Sequence, residues 1–157
     1  MKTVHISASR GYDVHIGPGL LDTIGTQAAA VLKGRKVCVV SGSGNVAIFA
    51  CQKATELGGK VVALSDSNGY IYDPNGIQLD VIKDIKLKRR ARIKVYADEV
   101  PGSVYTEGFR NIWKTPCDIA MPCATQNEIN EEAARNIVAG GAMALAEGAN
   151  MPSTPDA

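Results

Sequence analysis

A strand, a helix and a second strand are predicted in direct succession between residues 36 and 66, and this segment constrains the fold more than any other. Its first part, KVCVVS, is a short apolar run rich in branched residues, which is typical of a strand buried on both faces. Its last part, KVVALSD, has the same character. A βαβ unit takes about 30 residues, so the length fits. The middle part predicts a helix whose apolar residues lie near one face: Val46, Phe49, Ala50, Ala54 and Leu57.

The turn between the first strand and the helix carries the pattern G-x-G-x-x-A, from Gly42 to Ala47. Gly42 permits a tight turn, Gly44 lets a pyrophosphate approach the backbone, and Ala47 lets the helix pack close to the strand. The positive helix end and its free amides can then hold phosphates. Because a strand precedes it and a helix follows it, the pattern predicts a dinucleotide loop, with a plain glycine-rich turn as the alternative. The candidate binding residues are Ser41, Gly42, Gly44, Asn45, Val46 and Ala47.

An acid, Asp66, ends the second strand, 24 residues after Gly42. An acid at this place hydrogen-bonds the ribose 2′-hydroxyl of NAD and repels the 2′-phosphate of NADP. The run Lys86–Arg92 carries five basic residues and is either a solvated helix face or an aid in holding a phosphate. The sequence therefore leaves NAD and NADP open. The candidate phosphate partners around the acid are Ser65, Ser67, Lys83, Lys86 and Arg89.

The remaining sequence continues the alternation of strands and helices. KTVHISA and YDVHIG alternate around the turn residues SRG and predict an N-terminal β-hairpin, which a predicted helix in PGLLDTIGTQAAAVLKG follows. SNGYIYDPNG is punctuated by turn residues, and IQLDVIKDIKLKRRARIKVYADEV predicts one or two amphipathic helices. Short strands are predicted in SVYTEG, CDIAMPCA and AMALAEGAN. NEINEEAARNIVAGG predicts a helix capped by Asn127 or Asn130.

This order of elements predicts an α/β fold of Rossmann-like type. We expect a mainly parallel sheet flanked by helices, preceded by the N-terminal β-hairpin and helix. One domain of residues 1–157 is expected, in which residues 1–33 form a hairpin–helix arm and residues 34–157 form the dinucleotide-binding part.

Composition argues against several other classes of function. A net charge of +1 and an aromatic content of 5% argue against a nucleic-acid partner and an anionic membrane surface. No apolar run reaches about 18 residues and no charged-then-apolar leader opens the chain, so a cytoplasmic protein without a membrane partner is expected. The four cysteines form no C-x-x-C pair and lie far from both histidines, so free thiols and no metal site are expected.

Four stretches resemble the nucleotide-binding domain of hexameric glutamate dehydrogenases: SGSGNVA, LSDSNGYIYDP, PCDIAMPCATQNEIN and AEGANMPSTP. The resemblance covers about residues 34–157 and implies NAD or NADP as the cofactor. It also implies that the ATQN and EGAN runs line the nicotinamide end of the cleft. Both runs follow predicted strands. In open α/β sheets, ligands bind just outside the carboxyl ends of the strands. The residues that the resemblance adds are Ala124, Thr125, Gln126 and Asn150.

The first part of the chain, about residues 1–41, resembles instead the start of 3-dehydroquinate synthase, another enzyme that binds NAD. The two resemblances overlap in GRKVCVV, which predicts a hybrid or fragment joined near residues 34–42. The glutamate dehydrogenase family carries its catalytic lysines and aspartate in a separate N-terminal domain. No residue here stands in a matching motif, so no catalytic residue is assigned.

Together these observations predict a domain that binds NAD or NADP. By resemblance its parent enzyme deaminates L-glutamate oxidatively to 2-oxoglutarate, and we expect little or no turnover from this chain alone. The alternatives are a complete enzyme assembled with other chains, an NAD-binding fragment related to 3-dehydroquinate synthase, and an inactive scaffold. Unpaired strand groups at a sheet edge would favour a homo-oligomer through that edge.

Overall fold

The computed structural model describes residues 2–7, 12–16, 18 and 36–157. The chain divides into two compact units, Met1–Gly34 and Arg35–Ala157. In the first unit, strand β1 (Lys2–Ile6) pairs antiparallel with β2 (Tyr12–Ile16), and Val4 lies opposite Val14. The two strands of the predicted hairpin are thereby confirmed. The predicted turn at SRG and the helix predicted after Pro18 lie outside the described residues.

The second unit is built on one six-stranded sheet with the spatial order β6-β5-β4-β3-β7-β8. Strands β4, β3, β7 and β8 are mutually parallel, and β5 pairs antiparallel with both β4 and β6, so five of the six strands run in one direction. The predicted Rossmann-like, mainly parallel sheet is confirmed. The strands are β3 (Val37–Val40), β4 (Lys60–Ser65), β5 (Gly69–Tyr72), β6 (Val104–Glu107), β7 (Ile119–Met121) and β8 (Ala144–Leu145).

Helices cover both faces of this sheet, and an apolar cluster lies between the helices and the sheet on each face. Along β3 the faces alternate, because Cys38 and Val40 join one cluster and Val39 joins the other. The first cluster includes residues of α1 (Asn45–Glu56), α2 (Leu79–Lys83) and α3 (Val95–Glu99). The second includes residues of a 3₁₀ segment (Phe109–Lys114) and of α4 (Glu131–Ala139). Strands β3 and β4 are therefore buried on both faces, as their continuous apolar runs predict.

The apolar face predicted for α1 is only partly buried: Ala50 and Ala54 pack against the first cluster, whereas the three larger residues are exposed. Val46, Phe49 and Leu57 are 50%, 66% and 70% exposed, whereas Ala47 and Cys51 are fully buried. Small side chains at these two positions let the helix approach the sheet closely, and this contact decides the orientation more than the larger side chains do. An apolar edge of α1 therefore remains in solvent beside the turn that begins the helix.

Strand β5 lies in a stretch that its composition marked as turns only. Asp66 donates its backbone N–H to the carbonyl of Gly69 over 2.9 Å, which closes a tight hairpin between β4 and β5. Turn-forming residues thus stand on both sides of the four-residue strand β5, and they do not prevent the strand from forming.

The basic segment after β5 contains two short helices with a break between them. Helix α2 continues into a wider, π-helical turn (Asp84–Lys88), and Arg90 then takes a positive φ of 51°. The chain restarts in α3 only at Val95. Between these points it passes beside the end of β4, where Ile93 donates its N–H to the Asp66 carboxylate over 3.0 Å.

Helix α4 begins with a side-chain cap. The side-chain oxygen of Asn130 accepts a hydrogen bond from the Ala133 amide over 2.9 Å, and Glu131 and Glu132 stand in the first turn. Of the two capping residues that the sequence left open, Asn130 is the one used. In the described part of the chain, no helix has the length and apolar character that a membrane crossing requires.

Candidate functional site

The glycine turn joins β3 to α1 and can be built only with glycine at its first position. Gly42 has a φ of +87°, a conformation that side chains rarely adopt. A Cβ atom at Gly42 would also lie 3.1 Å from both the Cα of Ala124 and the carbonyl oxygen of Cys123. The turn is therefore in close contact with the loop that follows β7.

The start of α1 has the features of an anion site. The first helical hydrogen bond runs from the Ile48 amide to the Gly44 carbonyl over 2.9 Å, so the three preceding helical amides have no intrahelical partner. No side chain caps this helix, and its first turn has no acidic residue. A Cβ at Gly44 would meet nothing within 4 Å, so space is open above these amides. The positive helix end is thus left for a ligand.

An open pocket of about 440 Å³ lies against this helix end, at the carboxyl ends of β3, β4 and β7. This is the position at which ligands bind in open α/β sheets. Its lining comprises Gly42, Ser43, Gly44, Asn45, Val46, Ser65, Asp66, Ser67, Phe109, Cys123, Ala124 and Thr125.

The pocket brings together most of the residues that the sequence singled out. Nine line it, namely Gly42, Gly44, Asn45, Val46, Ser65, Asp66, Ser67, Ala124 and Thr125. Ser41 and Ala47 are buried outside the lining, and Gln126 and Asn150 are exposed outside it. That these residues bind a dinucleotide stays a prediction. Ser43, Phe109 and Cys123 complete the lining and were missed; Ser43 lies inside the glycine loop itself, whereas nothing local in the sequence points to Phe109.

Two buried serines fix the backbone around the glycine turn. The Ser65 hydroxyl oxygen accepts from the Gly42 amide over 2.8 Å, and the Ser41 hydroxyl oxygen accepts from the Cys123 amide over 2.9 Å. Ser41 and Ser65 are each 1% exposed. Ser65 thus holds the turn from behind, in addition to facing the pocket.

The carboxylate of Asp66 is half-buried and already hydrogen-bonded at both oxygens. Oδ1 accepts from the amides of Asn68 and Gly69 over 2.9 and 3.4 Å, and Oδ2 accepts from the amide of Ile93 over 3.0 Å. A ribose hydroxyl would have to share these oxygens. The three amides also compensate part of the negative charge that faces the pocket.

One residue of the basic run reaches a pocket side chain. Arg92 donates from Nη1 to the Ser67 hydroxyl over 2.8 Å. Arg89 instead forms a two-point ion pair with Glu99 over 2.6 and 2.8 Å. Arg92 belongs to the predicted basic run but was not singled out within it, because the break near Arg90 that turns it toward the pocket has no clear sequence signal. The other named cations bond elsewhere, Lys83 to Gln52 and Lys86 to the carbonyl of Ala91.

The ATQN and EGAN loops are attached to each other. The amides of Gly148 and Ala149 donate to the carbonyl of Pro122 over 2.9 and 3.0 Å. A Cβ at Gly148 would lie 2.7 Å from the Cys123 sulfur and 3.3 Å from a methyl group of Val46. Close packing at this glycine therefore joins the second loop to the start of α1.

A buried glutamate that the sequence analysis did not single out supports the first of these loops. Glu128 is 1% exposed, and its Oε1 accepts from the amides of Ala124 and Thr125 over 3.0 and 3.3 Å. Burial, followed by the negative charge of Glu128, raises the pKa of the Cys123 thiol to about 11. Cys123 is therefore a neutral thiol at ordinary pH. Across residues 2–7, 12–16, 18 and 36–157, no group of three or more His, Cys, Asp or Glu side chains could hold a metal ion.

A parallel sheet with an uncapped, glycine-led helix at its carboxyl edge defines a Rossmann-like domain. The sequence profile of the Glutamate/Leucine/Phenylalanine/Valine dehydrogenase family matches residues 17–157, and the chain belongs to this family. The match begins upstream of residue 34, where the motifs placed the start of the resemblance.

Individual relatives agree with this assignment. A protein of Bacteroides thetaiotaomicron named glutamate dehydrogenase is 55% identical over 141 residues, which are 88% of this chain and 30% of that protein. The NADP-specific glutamate dehydrogenase of Helicobacter pylori (strain J99) is 48% identical over 128 residues, 78% of this chain and 29% of that protein. A crystal structure of Plasmodium falciparum glutamate dehydrogenase superposes with a TM-score of 0.76 at 41% identity, over 87% of this chain and 29% of that one. The chain thus spans at most 30% of the length of these relatives.

Proposed function

We propose that this chain binds NAD or NADP, as the nucleotide-binding domain of a glutamate dehydrogenase. The observation that carries the proposal is the uncapped start of α1, whose three free amides adjoin the pocket. The names of the relatives support it, because they include NADP-specific, NAD(P)-specific and NAD-specific glutamate dehydrogenases. The reaction of the parent enzyme would be the oxidative deamination of L-glutamate to 2-oxoglutarate.

By itself the 157-residue chain is proposed to bind the dinucleotide with little or no turnover. The titratable side chains that line the pocket are Asp66 and Cys123. Both oxygens of Asp66 accept backbone hydrogen bonds, and Cys123 is a neutral thiol. Among the residues that the structure describes, the lining thus offers no lysine and no free acid–base pair for proton transfer from an amino acid.

Titration of the pure chain with NADH and NADPH, followed by nicotinamide fluorescence, tests the proposal. We expect saturable binding with a dissociation constant below about 1 mM, which corresponds to about 4 kcal/mol. The absence of binding at that concentration would refute it. A glutamate-dependent rate of NAD(P) reduction by the chain alone would contradict the proposed lack of turnover.

The positions of Ser67 and Arg92 support binding of NADP in the same pocket. Ser67 and Arg92 lie beside Asp66, and a 2′-phosphate could replace the Ser67 hydroxyl as the acceptor of the Arg92 guanidinium. Because three amides already bond to the Asp66 carboxylate, it repels a phosphate less than a free acid would. We therefore propose that NADP binds at least as well as NAD.

A different origin for the N-terminal residues remains a separate proposal. The β1–β2 hairpin lies within the segment that resembles 3-dehydroquinate synthase. The family match from residue 17 limits the part that needs another origin to the first 16 residues. If these residues play no part in the pocket, deleting residues 1–16 will leave NADPH affinity unchanged.

Association through the sheet edge is also proposed. Strand β8 pairs with β7 on one side and has no strand on the other among the described residues. Met143 and Leu145 are 53% and 45% exposed at this edge. Unpaired strand groups beside exposed apolar side chains favour pairing with a second copy.

A further inference from the structure

Glu128 is a buried carboxylate that the proposed binding of a dinucleotide does not itself explain. The side chain is 1% exposed, and a buried charge is costly unless its hydrogen bonds compensate it. Oε1 accepts two hydrogen bonds, whereas the buried Oε2 has no partner in the part of the chain that the structure describes. The hydrogen bonds of this carboxylate therefore all go to one place, the loop after β7.

The loop after β7 is held by side chains at three consecutive amides. Ser41 accepts from the amide of Cys123, and Glu128 accepts from the amides of Ala124 and Thr125. Without Glu128, two neighbouring amides would lose these acceptors, and an amide without a partner is unfavourable unless water replaces the acceptor. The simplest relief is for the loop to move until water reaches both amides.

Such a movement would change the width of the pocket. Ala124 and Thr125 line it on one side, and Gly42 lies in close contact with Cys123 and Ala124. The separation of the loop from the glycine turn, and from the free amides of α1, is thus set by where Glu128 holds the loop. Since Oε2 has no hydrogen-bond partner among the described residues, no contact there draws the carboxylate away from these two amides.

We propose that Glu128 is a positioning residue of the nucleotide site, which holds the Ala124–Thr125 segment in its binding position through Oε1. This inference rests on the proposed function, since the site positioned is the dinucleotide pocket. Glu128 acts behind the loop and, at 1% exposure, does not touch the ligand.

Three variants separate a positioning role from a merely structural one. Glu128→Ala removes the acceptor, and Glu128→Gln keeps a neutral acceptor at Oε1. Ile137→Ala creates a cavity in the second apolar cluster, beneath α4, and removes no hydrogen bond of the loop. We expect Glu128→Ala to weaken NADPH binding at least 10-fold and Glu128→Gln to weaken it less than 3-fold. We expect Ile137→Ala to lower the melting temperature without changing NADPH affinity.

A second measurement, without nucleotide, reports the loop directly. Alkylation of Cys123 by iodoacetamide is followed by mass spectrometry, with the buried Cys51 as internal reference. Both the Ala and the Gln variant remove the Glu128 charge that helps to raise the pKa of Cys123, so a difference between their rates reports how far the thiol is released from burial. We expect Cys123 to react at least 10-fold faster in Glu128→Ala than in Glu128→Gln. Should Glu128→Ala not fold, Glu128→Asp withdraws the acceptor by one methylene and is expected to behave in the same way.

The outcomes are distinguishable. If the wild-type chain binds no dinucleotide, the proposed function fails, and the alkylation rates still decide whether Glu128 holds the loop. If the wild type binds and Glu128→Ala binds equally tightly, the positioning role is refuted. Equal Cys123 rates in the Ala and Gln variants also refute it.

Discussion

The amide of Gly42 donates to the hydroxyl oxygen of Ser65 over 2.8 Å, and the Ser65 amide donates back to the Gly42 carbonyl over 3.3 Å. This exchange connects the turn after β3 to the end of β4. Ser65 is 1% exposed, so the connection lies beneath the pocket and out of water. It keeps the glycine turn and Asp66, the residue after Ser65, in a fixed relation.

We expect Ser65→Ala to lower the free energy of unfolding by about 1–3 kcal/mol, because the Gly42 amide is left buried without this acceptor. The measurement is a urea unfolding curve, with NADPH affinity as a second readout that should also fall. Ser67→Ala, at the exposed neighbour, is the matched control and should change stability by less than about 0.5 kcal/mol. Equal stabilities for the two variants would contradict the proposed role of the buried hydroxyl.

Gly42→Ala should weaken nucleotide binding by more than backbone strain alone explains. The alanine would have to adopt the positive φ of this position, and its Cβ would lie 3.1 Å from atoms of Cys123 and Ala124. Gly58→Ala is the control, because Gly58 has nearly the same φ of +88° but nothing within 4 Å of its Cβ position. Strain costs about 1–2 kcal/mol at either site. Thermal melts should therefore show both variants destabilised, while fluorescence titration should show at least a 10-fold loss of NADPH affinity only in Gly42→Ala.

Arg92→Ala should change the choice between the two nucleotides. If the guanidinium binds the 2′-phosphate, its removal will weaken NADPH binding about 10-fold or more and leave NADH binding within 2-fold. Arg135→Ala is the control, since Arg135 pairs with Glu131 on the exposed side of α4. The ratio of dissociation constants from paired titrations is the measurement. An equal loss for both nucleotides would mean that Arg92 does not distinguish them.

Stability should decline between about pH 9 and pH 11. Burial is the main cause that raises the pKa of Cys51, Cys117 and Cys123 from 9.0 to about 11. Below pH 9 both the folded and unfolded chains keep these protons; above it the unfolded chain releases them first, so unfolding becomes easier as pH rises. Each thiol contributes on the order of 2 kcal/mol to the loss. Melting temperatures at pH 7, 9 and 10.5 test this, and Cys51→Ala should shrink the decline.

The edge at β8 gives a prediction for association. Sedimentation velocity of the wild-type chain should show dimers or larger species, and Leu145→Lys should shift them toward monomer, because a charge at an edge strand opposes pairing. Leu57→Lys is the control, since Leu57 is 70% exposed but lies after α1 and away from the sheet edge. A monomeric wild type would refute association through this edge.

The sequence predicted the parts of the site that local patterns specify. The order from β3 through α1 to β4, the glycine turn and the position of Asp66 all follow from apolar runs and turn residues of the βαβ unit. That the loop at Ala124 meets Gly42 follows from the rule that ligand loops gather at the carboxyl ends of parallel strands.

The features that were missed depend on contacts between distant segments. Val46 and Phe49 looked like core residues, but close approach of Ala47 to the sheet rotates α1 so that they are exposed. Arg92 reaches Ser67 only because the helix breaks at Arg90, and the prediction of one or two helices in this segment did not indicate where a break would fall. Neither outcome can be read from the local spacing of residue types.

The reversed direction of β5 has a consequence for how cofactor choice can change. Because β4 and β5 form a hairpin closed between Asp66 and Gly69, the residues between them are an exposed two-residue tip. The side chains of this tip can be replaced without altering the glycine turn at the other end of the pocket. If the pocket binds a dinucleotide as proposed, discrimination between NAD and NADP can therefore evolve, or be engineered, independently of the capacity to bind either one.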